Sequence, residues 1–267
     1  MTPDLVLTPG GFRHHALVHT VGEGEALVAV ESLVRRLDLS TNALSDVAET
    51  ALATKGAPAL GSGWITYAFW NNGTGNSITS FETTWIVPDA PSVQGGQTIF
   101  LFNGIQNYGQ NFGILQPVLQ WGVSAAGGGS YWAIASWYVT SGGQAFHTNL
   151  IPVNPGDTLT GVMTLTGQSG SLFNYTSEFQ GISGTSLPVQ NIAELLWCNE
   201  TLEAYGVNQC ADYPASNMTA FTSISIETGS VNPALNWTPV NTVQDCGQMT
   251  TVVSNSSTNG EVDIFYR

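Results

Sequence analysis

From Trp64 onward, hydrophobic and polar positions alternate in short runs separated by Gly, Asn, Pro and Ser. This pattern predicts strands over 64–70, 77–87, 97–103, 113–123, 131–140, 158–166, 171–179, 192–197, 220–226, 249–253 and 262–266, because a two-residue period gives each face of a strand its own set of side chains. In Gly113-Ile-Leu-Gln-Pro-Val-Leu-Gln-Trp-Gly122 the alternation sends Leu115, Pro117, Leu119 and Trp121 to one face and Gln116, Val118 and Gln120 to the other. In Asn191-Ile-Ala-Glu-Leu-Leu-Trp-Cys198, Glu194 interrupts an apolar strand and shares a face with Leu196 and Cys198. Regular strands without long helices between them predict an all-β antiparallel two-sheet sandwich of jelly-roll, concanavalin-like type, with one concave face suited to a ligand groove.

Residues 1–60 read differently. Leu27, Val30, Leu33, Val34, Leu37, Leu44, Val47 and Leu52 recur at mixed helical spacings, so this N-terminal segment is expected to be partly helical. A Gly-Ala-Pro-Ala-Leu-Gly-Ser-Gly stretch over 56–63 reads as a linker to a sandwich domain spanning 61–267. His15 and His19 form an i, i+4 pair, but no further ligand type is placed near them, so no metal is expected.

Charge narrows the range of partners. Five Lys+Arg against 19 Asp+Glu give a formal net charge of -14, which repels phosphate backbones and anionic membranes, so neither is an expected partner. The basic residues are Arg13, Arg35, Arg36, Lys55 and Arg267, so 56–266 contains none. A domain whose carboxylates have so few cations loses self-repulsion as they protonate, and suits acid surroundings.

The Cys198 to Cys210 spacing makes that pair the favoured disulfide and leaves Cys246 over. Sequons at Asn72, Asn174, Asn199, Asn217, Asn236 and Asn255 suit a secreted chain, although no signal region is legible at the N-terminus. No run approaches the length of a membrane-spanning helix.

Several segments, in order, resemble the glutamic peptidase (eqolisin) family over roughly 64–228. Phe81-Glu-Thr-Thr-Trp-Ile-Val-Pro88 is similar to an early family strand, and Asn103-Gly-Ile-Gln106 to a Gly-Ile-Asp strand. Ile114-Leu-Gln116 is similar to the catalytic Ile-Leu-Gln, and Ser136-Trp-Tyr138 to an acidic-Trp-Tyr sequence. Val153-Asn-Pro-Gly-Asp157 resembles a Gly-Asp turn, and Ala193-Glu194 the Ala-Glu of a second catalytic strand. The resemblance implies an acid-acting, cofactor-free endopeptidase, a monomer acting on polypeptides, with Gln116 and Glu194 catalytic and Phe102, Gln106, Gln120, Ile134 and Ser136 contacting substrate. Gln106, Gln120 and Ser136 stand where the family carries acids. The segment 1–60, the more basic part of the chain, resembles a pro-region.

The residue types make that chemistry intelligible. An ionised Glu takes a proton from an attacking water in acid, where a histidine base is already protonated. A neutral Gln amide orients the water through its oxygen and steadies the oxyanion through its NH2. No Gly-x-Ser-x-Gly or His-Glu-x-x-His occurs, which removes the serine-hydrolase elbow and the zinc-protease motif. Two alternatives stay open: a glycan-binding or glycan-hydrolysing jelly roll pairing Glu82 with Glu194, and a family relative recruited to a non-proteolytic role.

Overall fold

The computed structural model describes residues 4–31, 33–45, 61–107 and 113–267. The N-terminal part is made of strands: β1 (Leu5–Thr8), β2 (Gly11–His14), β3 (Val18–Thr20), β4 (Glu25–Val30), β5 (Leu33–Asp38) and β6 (Ala43–Ser45). The expected helices are absent among the described residues; one 3-10 turn, His15–Leu17, is the nearest thing to them. Ala26, Leu27 and Val28 are all buried, so their unbroken apolar run is that of a strand covered on both faces. The remainder of that helix expectation, 46–55, and most of the linker lie outside the described residues.

The sandwich proper follows with β7 (Trp64–Asn71), β8 (Ile78–Ile86), β9 (Thr98–Gln106), β10 (Gly113–Ser124), β11 (Gly127–Thr140), β12 (Ala145–His147) and β13 (Ile151–Pro152). It continues through β14 (Thr158–Ser169), β15 (Leu172–Phe179), β16 (Leu187–Ile192), β17 (Trp197–Tyr205), β18 (Met218–Thr228), β19 (Thr238–Asn241), β20 (Met249–Ser254) and β21 (Gly260–Phe265). Two sheets result. The first has the order β19-β7-β17-β9-β10-β11-β12-β3, with β13 beside β11; the second has the order β20-β21-β18-β8-β14-β15-β16-β4-β5-β6. The N-terminal strands extend both, because β3 pairs with β12 and β4 with β16, each in parallel.

Between the sheets lies the larger core. Leu101, Ile105, Leu115, Leu119, Trp121 and Trp132 from the first sheet meet Phe81, Trp85, Met163, Tyr175, Phe179 and Ile226 from the second. A smaller apolar cluster, including Phe100, Phe102, Ile114, Val118, Trp137 and Trp197, covers the outward face of the first sheet. The β1–β2 hairpin lies against that face, with Leu7 packed on the cluster and the Ala125 N–H donating to the Leu7 carbonyl at 2.7 Å. The disulfide joins Cys210 to Cys246, and Cys198 is a buried free thiol. Cys198 lies within β17 with its side chain in the core, so the pairing expected from spacing is corrected by strand direction.

Candidate active site

Gln116 owes its position to β10. Leu115, Leu119 and Trp121 enter the core, so Gln116 points to the opposite, outward face, where it is 1% exposed. It pairs with Trp137 on β11. On its other side the ladder runs from Leu115↔Ile105 to Val118↔Phe102, which brings Gly104 alongside, and Gly104 is paired with Asn199 of β17. Phe69 and His147 continue the same row at either end.

Gly104 keeps the floor of this row low. A Cβ there would come within 3.1 Å of both amide atoms of Asn199 and of Ile114 Cδ1. Asn199 leans across it, donating to the Gly104 carbonyl at 3.1 Å and accepting from the Thr201 hydroxyl at 2.8 Å. Gln116 Oε1 is buried and has no hydrogen-bond partner among the described residues, and Gln106 Oε1 shares that condition. Gln106 pairs with Ile114, so the two orphaned carbonyl oxygens sit on adjacent strands, two residues apart, on one face. Beside them Trp197 stacks on Phe69 at 5.1 Å and on Trp64 at 5.9 Å, an aromatic strip along the edge of the row.

His147 closes the other end, 4.7 Å from the Trp137 ring, with Nδ1 bonded to the Thr148 carbonyl at 2.9 Å. Burial lowers its pKa and favours the neutral ring.

Glu194 is placed elsewhere. The strand expected over 192–197 does not form: β16 ends at Ile192, β17 begins at Trp197, and Glu194 occupies the connection, half-buried. The neighbouring Leu195 N–H meets the Tyr175 hydroxyl at 3.3 Å, and the Glu194 charge is among the influences raising the Tyr175 pKa, after burial. Tyr175 belongs to the opposite sheet. Gln116 therefore has Asn199, two strands and about 10 Å across, as its nearest polar counterpart on β17. No hydrogen bond joins Gln116 to Glu194 among the described residues. Glu82 alternates with the buried Phe81 and Thr83 and so faces away from the core on the second sheet, remote from this row.

The expected substrate contacts divide by face. Phe102, Gln106 and Gln120 look outward with Gln116. Ile134 belongs to the inter-sheet core, and the Ser136 hydroxyl donates to the Ser177 carbonyl of the opposite sheet at 3.3 Å, so neither reaches the outward face. Gln120 is occupied structurally: its amide donates to the Gly122 and Gly127 carbonyls and accepts from Ser124.

Sequence reasoning missed β17 as a strand and, with it, two buried glutamates. Glu200 faces inward and accepts from the Thr83 hydroxyl at 2.6 Å; burial lifts its pKa well above the usual carboxylate range. Glu203 faces outward beneath the hairpin, accepting from the Gly10 N–H at 2.7 Å and bonded to the Tyr205 hydroxyl at 2.6 Å. Burial pushes its pKa up to about 8 against the opposing pull of those bonds and of Arg13. Arg13 is itself buried, with Nε donating to Thr8 Oγ1. The available signal was the alternation of Trp197, Asn199, Thr201 and Glu203 with Cys198, Glu200 and Leu202.

No family model and no curated protein matches this chain. Among solved structures it is similar to scytalido-glutamic peptidase with a peptide-based transition-state analogue, at 15% identity over 74% of this chain and 97% of that one, TM-score 0.48. It is also similar to SCP-B, a member of the eqolisin family of peptidases in complex with the tripeptide Ala-Ile-His, at 16% identity over 76% and 98%, TM-score 0.45. A weaker likeness is to a β-porphyranase from the human gut bacterium Bacteroides plebeius, at 8% identity over 68% and 77%, TM-score 0.29. None of these likenesses assigns a role to a residue of this chain. No helix among the described residues is long and apolar enough to cross a membrane.

Proposed function

We propose that the outward face of the first sheet binds a polypeptide in extended form and that the protein cleaves it in acid, as a secreted endopeptidase. The observation that carries the binding part is the pair of buried carbonyl oxygens of Gln106 and Gln116, unpartnered among the described residues, beside an aromatic strip. Buried acceptors without donors are costly, and the N–H groups of an extended chain are suitable donors. In the chemical step, Glu194 takes a proton from water as the oxygen attacks the scissile carbonyl, then returns it to the departing amine. Gln116 holds the water and steadies the oxyanion.

On this reading the described arrangement is a resting one. The hairpin lies on the outward face and Glu194 sits beside Tyr175, so catalysis requires the hairpin to lift and the 193–196 connection to swing. Residues 1–60 then act as a blocking segment in the manner of a pro-region. Digestion of a denatured protein across pH 2–7 by the full chain, by a variant lacking 1–16 and by Glu194→Gln tests it. Cleavage that is enhanced by the truncation and abolished by Glu194→Gln is expected; cleavage surviving Glu194→Gln places the base elsewhere.

One observation favours a second reading, a polypeptide-binding protein without catalysis. Asn199, and no carboxylate, stands across the row from Gln116. Binding of the denatured substrate without cleavage at any pH, in the full and truncated chains alike, selects it.

A further inference from the structure

Three of the four histidines lie in the first 20 residues. The pair at i, i+4 is not the one the fold uses: His19 turns toward Phe146, ring centroids 5.6 Å apart, with its Nε2 buried. The fold instead gathers Asp4, His14 and His15, and one ligand atom from each lies within 4.8 Å of the others. The hairpin sets their positions. Leu5 pairs with His14, so Asp4 stands at the open end of β1, and the His15 N–H donates to the Asp4 carbonyl at 2.8 Å. The two rings stack with centroids 5.0 Å apart. Asp4 and His15 are exposed and His14 is half-buried.

We propose that Asp4, His14 and His15 form a binding site for a borderline divalent cation of the Zn2+ class, which closes the open end of the N-terminal hairpin. Zn2+ bonded to nitrogen and oxygen at about 2.0–2.2 Å sets tetrahedral ligand atoms roughly 3.3 Å apart, a contraction that side-chain rotation supplies. Two imidazoles and one carboxylate suit Zn2+, Co2+, Ni2+ or Cu2+ and disfavour Ca2+ and Mg2+, which take oxygen donors. Three protein ligands leave a position for water. His14 Nδ1 accepts a long bond of 3.3 Å from the Ala16 N–H, and that bond is given up where the metal takes Nδ1. The bridge runs from the residue before β1 to the last residue of β2 and the one after it, so a bound cation holds both strands of the hairpin that lies on the Gln116 face.

Calorimetric titration of the full chain with Zn2+ at neutral pH, repeated with Co2+ followed by its visible absorption, tests the site. One cation per chain is expected, with affinity at least tenfold weaker in Asp4→Asn and no binding in H14A/H15A. Millimolar Ca2+ should not compete. Absence of binding to the wild type, or equal binding to H14A/H15A, overturns the site. If the alanine pair loses cooperative unfolding, H14Q/H15Q serves with the same two outcomes. Zn2+ should also slow amide exchange over 5–14 at least several-fold in the wild type and not in the variant. Binding that leaves that exchange unchanged overturns the hairpin-closing role.

Discussion

Glu200 and Glu203 lie on the same strand and neither is accessible to solvent, yet they face opposite sides of the sheet and are buried by different means. Inward, Glu200 is enclosed by core side chains with one bond, from Thr83, and its Oε2 is orphaned. Its register partner Asn103 donates to the Gly161 carbonyl and has an orphaned Oδ1. Outward, Glu203 is enclosed by the β1–β2 hairpin, which bonds it through the Gly10 N–H, while Tyr205 of its own strand donates to the same oxygen. The Tyr205 hydroxyl lies 2.5 Å from the Ser62 carbonyl and 2.6 Å from Glu203 Oε1. Burial favours the neutral form of both glutamates, one enclosed by the inter-sheet core and one by the hairpin, and for Glu203 it does so against the pull of the Gly10 and Tyr205 bonds.

The largest consequence is in pH dependence. A carboxyl whose folded pKa is raised contributes stability that is complete below the unfolded pKa of about 4.3 and is lost as pH rises toward the folded value, about 1.4 kcal/mol per pH unit for each group. The Glu203 window therefore runs from about 4.3 to about 8, and Glu200 acts in the same direction. Two histidines oppose them: burial lowers His19 to about 4, with Arg36 and His147 adding to the effect, and lowers His147 as well. Their contribution is present above about 6.5 and is lost as pH falls. Below about 6.5 the histidines work against the glutamates, and above 6.5 the histidine contribution is complete, so the raised carboxyls set the slope. Urea unfolding at a series of pH values should show a loss on the order of 2 kcal/mol from Glu203 between pH 6.5 and 8, with Glu200 adding in the same direction. E200Q/E203Q should flatten that limb; a wild-type stability that rises above pH 6.5 breaks the account.

Next in size is the contrast between fixed core and lid. Glu200→Ala should cost about 2–4 kcal/mol by leaving a cavity and orphaning the Thr83 hydroxyl, whereas Glu200→Gln should cost about 1 kcal/mol or less below pH 7. Glu203→Ala should cost less than Glu200→Ala, because the hairpin can shift or admit water. Equal costs, measured by chemical denaturation at pH 6, would erase the distinction.

A smaller effect isolates the lid. Gly10 has φ 81 and turns the hairpin while offering its N–H to Glu203. Gly10→Ala should cost about 1–2 kcal/mol in hairpin docking, seen as faster amide exchange over 5–14 with β8–β10 unchanged. Slower exchange everywhere, or faster exchange throughout both sheets, contradicts a lid that opens by itself. Smallest of all, Gln116→Leu should change global stability by less than about 1 kcal/mol, since its Oε1 has no partner to lose among the described residues. Binding of an extended polypeptide should nonetheless fall at least tenfold; unchanged binding removes Gln116 from the proposed site.

Much of the sandwich was legible because alternation is local. The run 113–123 predicted both faces of β10, and Leu115, Leu119 and Trp121 lie in the core while Gln116 and Gln120 point outward. The strand over 158–166 is likewise the start of β14. Legibility failed where burial hides the period. β4 is buried on both faces and read as helix, and β17, with glutamates on both faces, read as no strand at all. Ile134 and Ser136 entered the candidate site by resemblance, but their parity with Trp132 places them inward.

The sequence by itself determined the all-β class, the outward position of Gln116 and a net charge of -14 that sets the repulsion felt by anionic partners. Each of these depends on composition or on a repeat of two residues along one strand. Only the tertiary structure decided that Cys246 and not Cys198 meets Cys210, and that Asn199 rather than Glu194 stands across from Gln116. It also decided that Asp4 completes a cluster with His14 and His15, and that a hairpin from the N-terminus covers the outward face. These depend on which strands become neighbours, and that choice follows from long-range packing and loop closure, which leave no period in the local spacing.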